Sequence, residues 1–251
     1  PGKITVDLLE RYQRHLFHSM KQDGKRLSFH SQYDRLGGVR RYLHWLVRHR
    51  VIPMNPAASL DPPRVERRLP KAILSAFEAE QILKVPDLST PRGLRDRAIL
   101  ETLYATGVRR QELAALKIDD IDLENGRLMV RQGKGKRDRL LPLSERACAW
   151  IEKYLEESRF QISRGADDGS LFISHIGKRM HPEQMTKIVR RSIEAAEIEK
   201  PGACHLFRHT LATLMLEGGA DLRYVQAMLG HADISTTQIY TRVAIGKLQE
   251  A

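Results

Sequence analysis

The sequence predicts a mainly helical protein with one small antiparallel β-sheet, in which a short helical part precedes a larger domain. Three observations carry this. Apolar residues recur at helical spacing over most of the chain, the period shortens towards two only around residues 121–143, and a proline-rich basic stretch interrupts both patterns between. With 251 residues, 41% of them hydrophobic, the chain can bury the cores of one large or two ordinary domains.

Taken in order, Ile4, Leu8, Leu9, Tyr12, Leu16, Phe17 and Met20 repeat every three to four residues with Arg and His between them, which predicts an amphipathic helix. A second helix, from about Ser31 to Arg50, turns Tyr33, Leu36, Leu43, Leu46 and Val47 inward. It leaves Arg35, Arg40, Arg41, His44, Arg48 and Arg50 on other faces, as solvated surface or as a DNA-facing surface. Pro53, Pro56, Pro62, Pro63 and Pro70 then fall among Arg64, Arg67, Arg68 and Lys71. Proline fixes φ and removes a backbone donor, so residues 61–74 read as an extended linker between domains at 1–60 and 75–251. Ser75 and Glu78 form a capping box that opens the second domain. Helical spacing continues over 92–117. Arg127–Gln132 and Arg139–Leu143 are strand-like runs joined by a loop containing Gly133, Lys134, Gly135 and Lys136, with Ile121–Leu123 a candidate third strand. Helices resume at 144–158, at 182–196 with Pro182 in the first turn, and from Leu206 onward.

Forty-two Lys and Arg against thirty-one Asp and Glu give a formal charge of +11, which favours a polyanionic partner. No run reaches the roughly 18–20 apolar residues of a membrane span, and the N-terminus lacks a secretory pattern, so a cytoplasmic protein is expected. Cys148 and Cys204 stand alone, without metal-site or disulfide spacing, and read as free thiols.

The chemistry-bearing residues lie in the larger domain. In Cys204-His205-Leu-Phe-Arg208-His, His205 and Arg208 share a helix face above a stripe of Leu211, Leu214 and Met215. Imidazole beside guanidinium suits an anionic phosphate, and equally suits an ordinary surface pair. Gly218 and Gly219 break that helix, Asp221 caps the next, and Gly230 ends it, presenting His231 just beyond. A structural helix-turn-helix explains the same pattern. Ser235 is a candidate cap for a helix carrying Tyr240 in its second turn. Tyrosine is a poor nucleophile unless cations or donors stabilise its oxyanion, and packing is its commoner use. Earlier, Gly107-Val-Arg109-Arg110-Gln-Glu112 repeats the break at glycine, with Glu112 one turn on to hold Arg109.

In order and wording, Tyr104-Ala-Thr-Gly-Val-Arg-Arg-Gln-Glu-Leu113, Gly133-Lys-Gly-Lys136, His205-Leu-Phe-Arg-His209 and Leu229-Gly-His231-Ala-Asp-Ile-Ser-Thr-Thr-Gln-Ile-Tyr240-Thr241 resemble the four motifs of the tyrosine recombinase, or lambda-integrase-like, family, and its Xer-type branch in particular. The resemblance implies a mainly helical catalytic domain with a small sheet, preceded by part of a helical core-binding domain. It makes Tyr240 the nucleophile and Arg109 and Arg208 the clamp on the scissile phosphate. His205 assists proton transfer, His231 bonds a phosphate oxygen, and Lys134 is the general acid. Arg40, Arg41, Arg48, Arg110 and Lys136 become candidate DNA contacts. It implies no cofactor and no metal, double-stranded DNA as the partner, and four protomers on two sites, alone or with a related recombinase. It also leads one to expect further core-binding helices before Pro1 and a C-terminal helix beyond Ala251, so that the chain is a fragment. Two rival readings are a non-enzymatic helix-turn-helix regulator, which would survive Tyr240→Phe, and a type IB topoisomerase-like enzyme, which would relax supercoils without a preferred site.

Overall fold

Thr5 and Ser28 each accept a hydrogen bond from an amide in the following turn, and these caps start α1 (Val6–His18) and α2 (Phe29–Arg48). The computed structural model describes residues 4–64, 72–131, 138–163, 168–231, 236–238 and 240–241. The chain divides into two units, Pro1–Arg67 and Arg68–Ala251.

In the first unit, Leu9 and Leu16 of α1 share a core with Leu36, Leu43 and Leu46 of α2 and with Leu27, Ile52, Ala57 and Leu60. The buried stripe is narrower than the periodicity predicts, for Leu8, Phe17, Met20 and Tyr33 are exposed. Two helices cover only one face of each other, so apolar residues at the stripe margins stay in solvent. On α2, Arg41 and Arg48 are exposed and Arg40 is half-buried.

In chain order the second unit comprises α3 (Ala76–Lys84), α4 (Pro91–Thr106), α5 (Arg110–Ala115), β1 (Ile121–Asp122), β2 (Arg127–Val130), β3 (Arg139–Pro142), α6 (Glu145–Lys153), α7 (Phe160–Ser163), α8 (Pro182–Ala195), α9 (Cys204–Glu217) and α10 (Leu222–Leu229). The capping box between Ser75 and Glu78 is formed in both directions, at 3.1 and 2.6 Å. α4 is the axis of the unit, with α3, α6, α8 and α9 packed around it. Beyond its first turn it is buried or half-buried on all sides, and Arg95, Arg97, Glu101, Thr102 and Thr106 are among the buried residues. A helix so enclosed must satisfy its polar groups internally. Arg97 donates to Glu101 at 3.0 Å and to the Leu83 carbonyl, and its guanidinium lies 4.6 Å over the Trp150 ring. Arg146 reaches the other Glu101 oxygen at 2.9 Å, and both threonines bond back to carbonyls four residues earlier.

The sheet has the order β1-β2-β3, antiparallel throughout, with Ile121 opposite Leu128 and Leu128 opposite Leu141. Leu128, Val130 and Leu141 alternate into the core, as period two requires. The hairpin loop with Lys134 and Lys136 lies outside the described residues. Beyond Lys153, α6 widens into a π-helical turn at Tyr154–Arg159 and continues into α7, past the expected end at Ser158. α9 begins at Cys204 and buries Leu206, Phe207, Thr210, Ala212 and Thr213. The expected stripe of Leu211, Leu214 and Met215 is only half-buried. Neighbours lie on more than one side of α9, so a single-face reading of its sequence chose the wrong stripe. Among the described residues no helix is long and apolar enough to cross a membrane.

Candidate active site

α4 ends at Gly107, whose φ of 58° is left-handed. A Cβ there would stand 3.0 Å from a methyl of Leu211 and 3.3 Å from one of Leu229, so glycine permits both the turn and the close approach. The chain then enters α5 with Arg109 at the N-cap and Glu112 three residues on. Glu112 accepts from the Arg109 amide at 2.8 Å and from its guanidinium at 2.8 Å, the pairing expected from the sequence. Arg139 of β3 adds a two-pronged contact to the same carboxylate, at 3.0 and 2.7 Å. Burial alone would raise the Glu112 pKa, but the hydrogen bonds from Arg139 and Arg109 and the charge of Arg139 outweigh it and bring it down to about 2.

The C-terminus of α10 is the second anchor. Asp221 opens this helix through its side chain, and Gly230 ends it with φ of 62°. The last carbonyls of a helix have no partner within it and carry its negative end. Here three arginines from three elements take them. Arg139 Nε donates to Met228 O at 3.2 Å, Arg208 Nη2 donates to Leu229 O, and Arg109 Nη2 donates to Gly230 O at 3.0 Å. Arg208 is 5% exposed and also donates Nη1 to Gly107 O at 2.8 Å, joining the ends of α4 and α10. Burial first, then the neighbouring Arg109 charge, lowers the Arg208 pKa to about 10, so it remains a cation at neutral pH.

Tyr240 comes to this cluster from the end of the described chain. It is 2% exposed and packs on Ala212, Val225 and Leu229. Its hydroxyl lies 2.7 Å from His209 Nδ1, a hydrogen bond. Burial raises the tyrosine pKa, while the charges of Arg208 and Arg109 act to lower it. Burial, His205 and Arg208 bring His209 down to about 4. The bond therefore joins two neutral groups at pH 7. His231 holds Thr237 Oγ1 at 2.8 Å through Nδ1, and its ring runs nearly parallel to Tyr240 at 6.5 Å. His205 is edge-on to His209 at 6.4 Å, and burial with the charges of Arg208, Arg110 and Arg109 lowers its pKa.

The structure thus brings together Arg109, Arg208, His205, His231 and Tyr240, all expected from the sequence. Lys134 and Lys136 lie outside the described residues. Arg110 donates to Thr186 on α8 at 3.4 Å, beside the cluster rather than in it. Arg40, Arg41 and Arg48 belong to the first unit. Two residues were missed. Arg139 looks like an ordinary strand residue in the sequence, and no local pattern announces its carboxylate or carbonyl. His209 follows Arg208 by about 100° around the helix, and its sole signal is its place one turn after His205.

A mainly helical domain with a three-stranded antiparallel sheet, holding two arginines and a buried tyrosine at one helix end, defines the tyrosine recombinase class. The chain belongs to the phage integrase family, whose sequence profile matches residues 72–246. It is 47% identical over 249 residues to tyrosine recombinase XerC 2 of Ralstonia nicotianae, covering 99% of this chain and 72% of that protein. It is 41% identical over 215 residues to tyrosine recombinase XerD of Pseudomonas putida, covering 86% and 72%. Among solved structures, the XerA recombinase is 31% identical with a TM-score of 0.62, over 99% of this chain and 83% of that one. The XerH recombinase in a post-cleavage complex with palindromic difH substrate has the same fold, with a TM-score of 0.77 at 23% identity, over 99% and 72%.

Proposed function

We propose that this chain breaks and rejoins DNA strands at specific sites through a covalent bond to Tyr240. The observation that carries the reading is the buried tyrosine beside two arginines whose positions are tied to the ends of α4 and α10. Arg109 and Arg208 each use two contacts to fix the guanidinium and keep further N–H groups for the non-bridging oxygens of a phosphodiester. As the phosphorus becomes pentacovalent, negative charge grows on those oxygens, and donors held in place beforehand stabilise it without rearranging.

In the reaction the Tyr240 oxygen bonds to phosphorus, and the bond from phosphorus to the 5′-oxygen breaks. The products are a 3′-phosphotyrosyl enzyme and a 5′-hydroxyl. Lys134 delivers the proton to the leaving oxygen, His205 assists removal of the tyrosine proton, and His231 bonds a phosphate oxygen. A 5′-hydroxyl from another strand reverses the step and reseals the backbone without ATP. The positive charge that stabilises the transition state comes from Arg109 and Arg208, so the reading requires no metal or cofactor. The working assembly is four protomers on two duplex sites in the cytoplasm. Arg40, Arg41, Arg48, Arg110 and Lys136 contribute contacts to the duplex, and the core-binding part spans residues 1–60 with a linker at 61–74.

The test is covalent trapping. Nicked duplexes from a randomised or genomic library are incubated in EDTA with the protein and with Tyr240→Phe, then run on a denaturing gel. The expected result is an EDTA-resistant adduct with the wild type and none with the variant. An adduct that persists in Tyr240→Phe would remove Tyr240 from the role. Salt-sensitive DNA binding with no adduct would favour a non-enzymatic binder.

A further inference from the structure

The other end of α4 carries a second concentration of charge, which the catalytic reading does not use. Arg92, Arg95 and Asp96 of α4, Ser174 of the turn after Ile173, and Lys187 and Arg191 of α8 line a cavity of about 290 Å³. Two of these charges cancel. Arg95 donates Nε and Nη2 to one Asp96 oxygen at 2.9 and 2.7 Å, and its Nη1 is held by Ile173 O at 3.0 Å. Arg92, Lys187 and Arg191 are different, for among the described residues none makes a hydrogen bond or a close ion pair, and the one Asp96 carboxylate, already held by Arg95, is the anion that also attracts Arg191 and Arg92. Ser174 is 4% exposed, and its hydroxyl is buried without a hydrogen-bond partner.

Three unpaired cations around one concavity repel each other, and a buried hydroxyl without a partner is a cost that native structures rarely leave standing. Both are relieved by one guest, an anion with several oxygens. Two guanidinium forks, an ammonium and a hydroxyl offer more donors than a carboxylate can accept, and they match a phosphate group. We propose that this cavity is a second phosphate seat, in which Arg92, Lys187, Arg191 and Ser174 hold a DNA backbone phosphate away from the one that is cut. The assignment to DNA rests on the function proposed above. Arg92 to Thr106 spans fourteen residues of helix, which at about 1.5 Å per residue sets the seat roughly 21 Å along α4 from the end that meets the catalytic arginines. That is shorter than one helical turn of B-DNA, about 34 Å, so one duplex is long enough to reach both.

The test uses the full chain and an Arg92→Gln, Lys187→Gln, Arg191→Gln variant. Its control loses three exposed cations elsewhere in the unit, as Lys84→Gln, Arg127→Gln and Lys153→Gln. Binding to a random-sequence duplex is measured across a salt series. Adduct formation on nicked duplex is measured at saturating DNA. If a phosphate is gripped here, the seat variant binds about tenfold more weakly than the control, and its slope of log affinity against log salt falls by about one per lost contact. Adduct formation at saturation is unchanged, so loss of the seat is distinguished from loss of catalysis. Inorganic phosphate should also raise the melting temperature of the wild type more than that of the seat variant or of Ser174→Ala. A phosphate-induced shift that depends on the seat, together with a salt slope equal to the control's, would mean that the seat serves a free phosphate compound and the DNA assignment is wrong. No difference from the control in either measurement overturns the seat itself.

Discussion

The two ends of α4 both gather cations, and they do so in opposite ways. At the C-terminal end every arginine is immobilised, since Arg109, Arg139 and Arg208 are each bonded to helix-end carbonyls or to Glu112. At the N-terminal end Arg92, Lys187 and Arg191 extend from exposed positions without fixed partners. The difference teaches what each arrangement can do. Donors locked before the reaction lower a barrier because they need not reorganise when charge appears. Long cations left loose gain nothing for chemistry, but they can adapt to a phosphate whose position varies, and they lose rotamer freedom only when it binds.

The largest effects should come from the locked end. Arg208→Lys removes the planar fork that joins Gly107 O and Leu229 O while keeping the charge. Adduct formation should fall by about 10²–10³, corresponding to about 3–4 kcal/mol in the barrier, with DNA affinity little changed. Single-turnover trapping checks this, and a loss below tenfold would mean that charge alone suffices there. Next, Glu112→Gln leaves Arg139 and Arg109 facing a neutral partner inside a half-buried cluster. It should destabilise the protein by about 3 kcal/mol, measured by urea unfolding at pH 7. The same carboxylate has a pH signature. Its folded pKa of about 2 lies below the ordinary value, so its contribution is complete above about pH 4.5 and is lost as pH falls towards 2. In Glu112→Gln that part of the acid sensitivity should be absent.

A smaller effect is expected at His209. Its folded pKa of about 4 lies below that of the unfolded chain, which takes up a proton first as the solution is acidified. Stability is therefore fully present above about pH 6.5 and declines towards pH 4, and His209→Asn should flatten that part of the melting-temperature profile. The same variant should change adduct formation only several-fold, because the bond to Tyr240 must in any case yield to the phosphate. The smallest effect belongs to the loose end. Lys187→Gln alone should weaken duplex binding two- to threefold at moderate salt and leave the melting temperature unchanged, as expected of an unpaired surface cation.

What could be read from the sequence follows the same division. Turn and cap chemistry is local, so Ser75 with Glu78, Gly107, Asp221 and Gly230 were all legible, and with them the places where Arg109, Arg208 and His231 emerge. Contacts that depend on a distant segment were not. Nothing near Arg139 signals that it would meet Met228 and Glu112, and nothing near His209 signals a tyrosine 31 residues later. Periodicity misjudges burial where packing departs from one side. Periodicity turns Tyr33 inward, yet it is exposed because the two helices described in the first unit cannot cover the whole stripe, and α9 buries a different face because neighbours meet it from more than one direction. The charged cavity was invisible for the same reason, its residues being spread from 92 to 191.

The enclosure of α4 has one further consequence. A helix enclosed beyond its first turn has little room to slide or bend to absorb a change in length, so it behaves as a gauge whose graduations are residues. Adding one residue between Arg95 and Thr106 would turn one end against the other by about 100° and lengthen the rod by about 1.5 Å. Either the Arg97–Glu101–Arg146 set or the carbonyl of Gly107 would then lose its place. The length of this helix is therefore as specific a property of the enzyme as any side chain at its ends, and deletions or insertions here should be tolerated less well than substitutions on its surface neighbours.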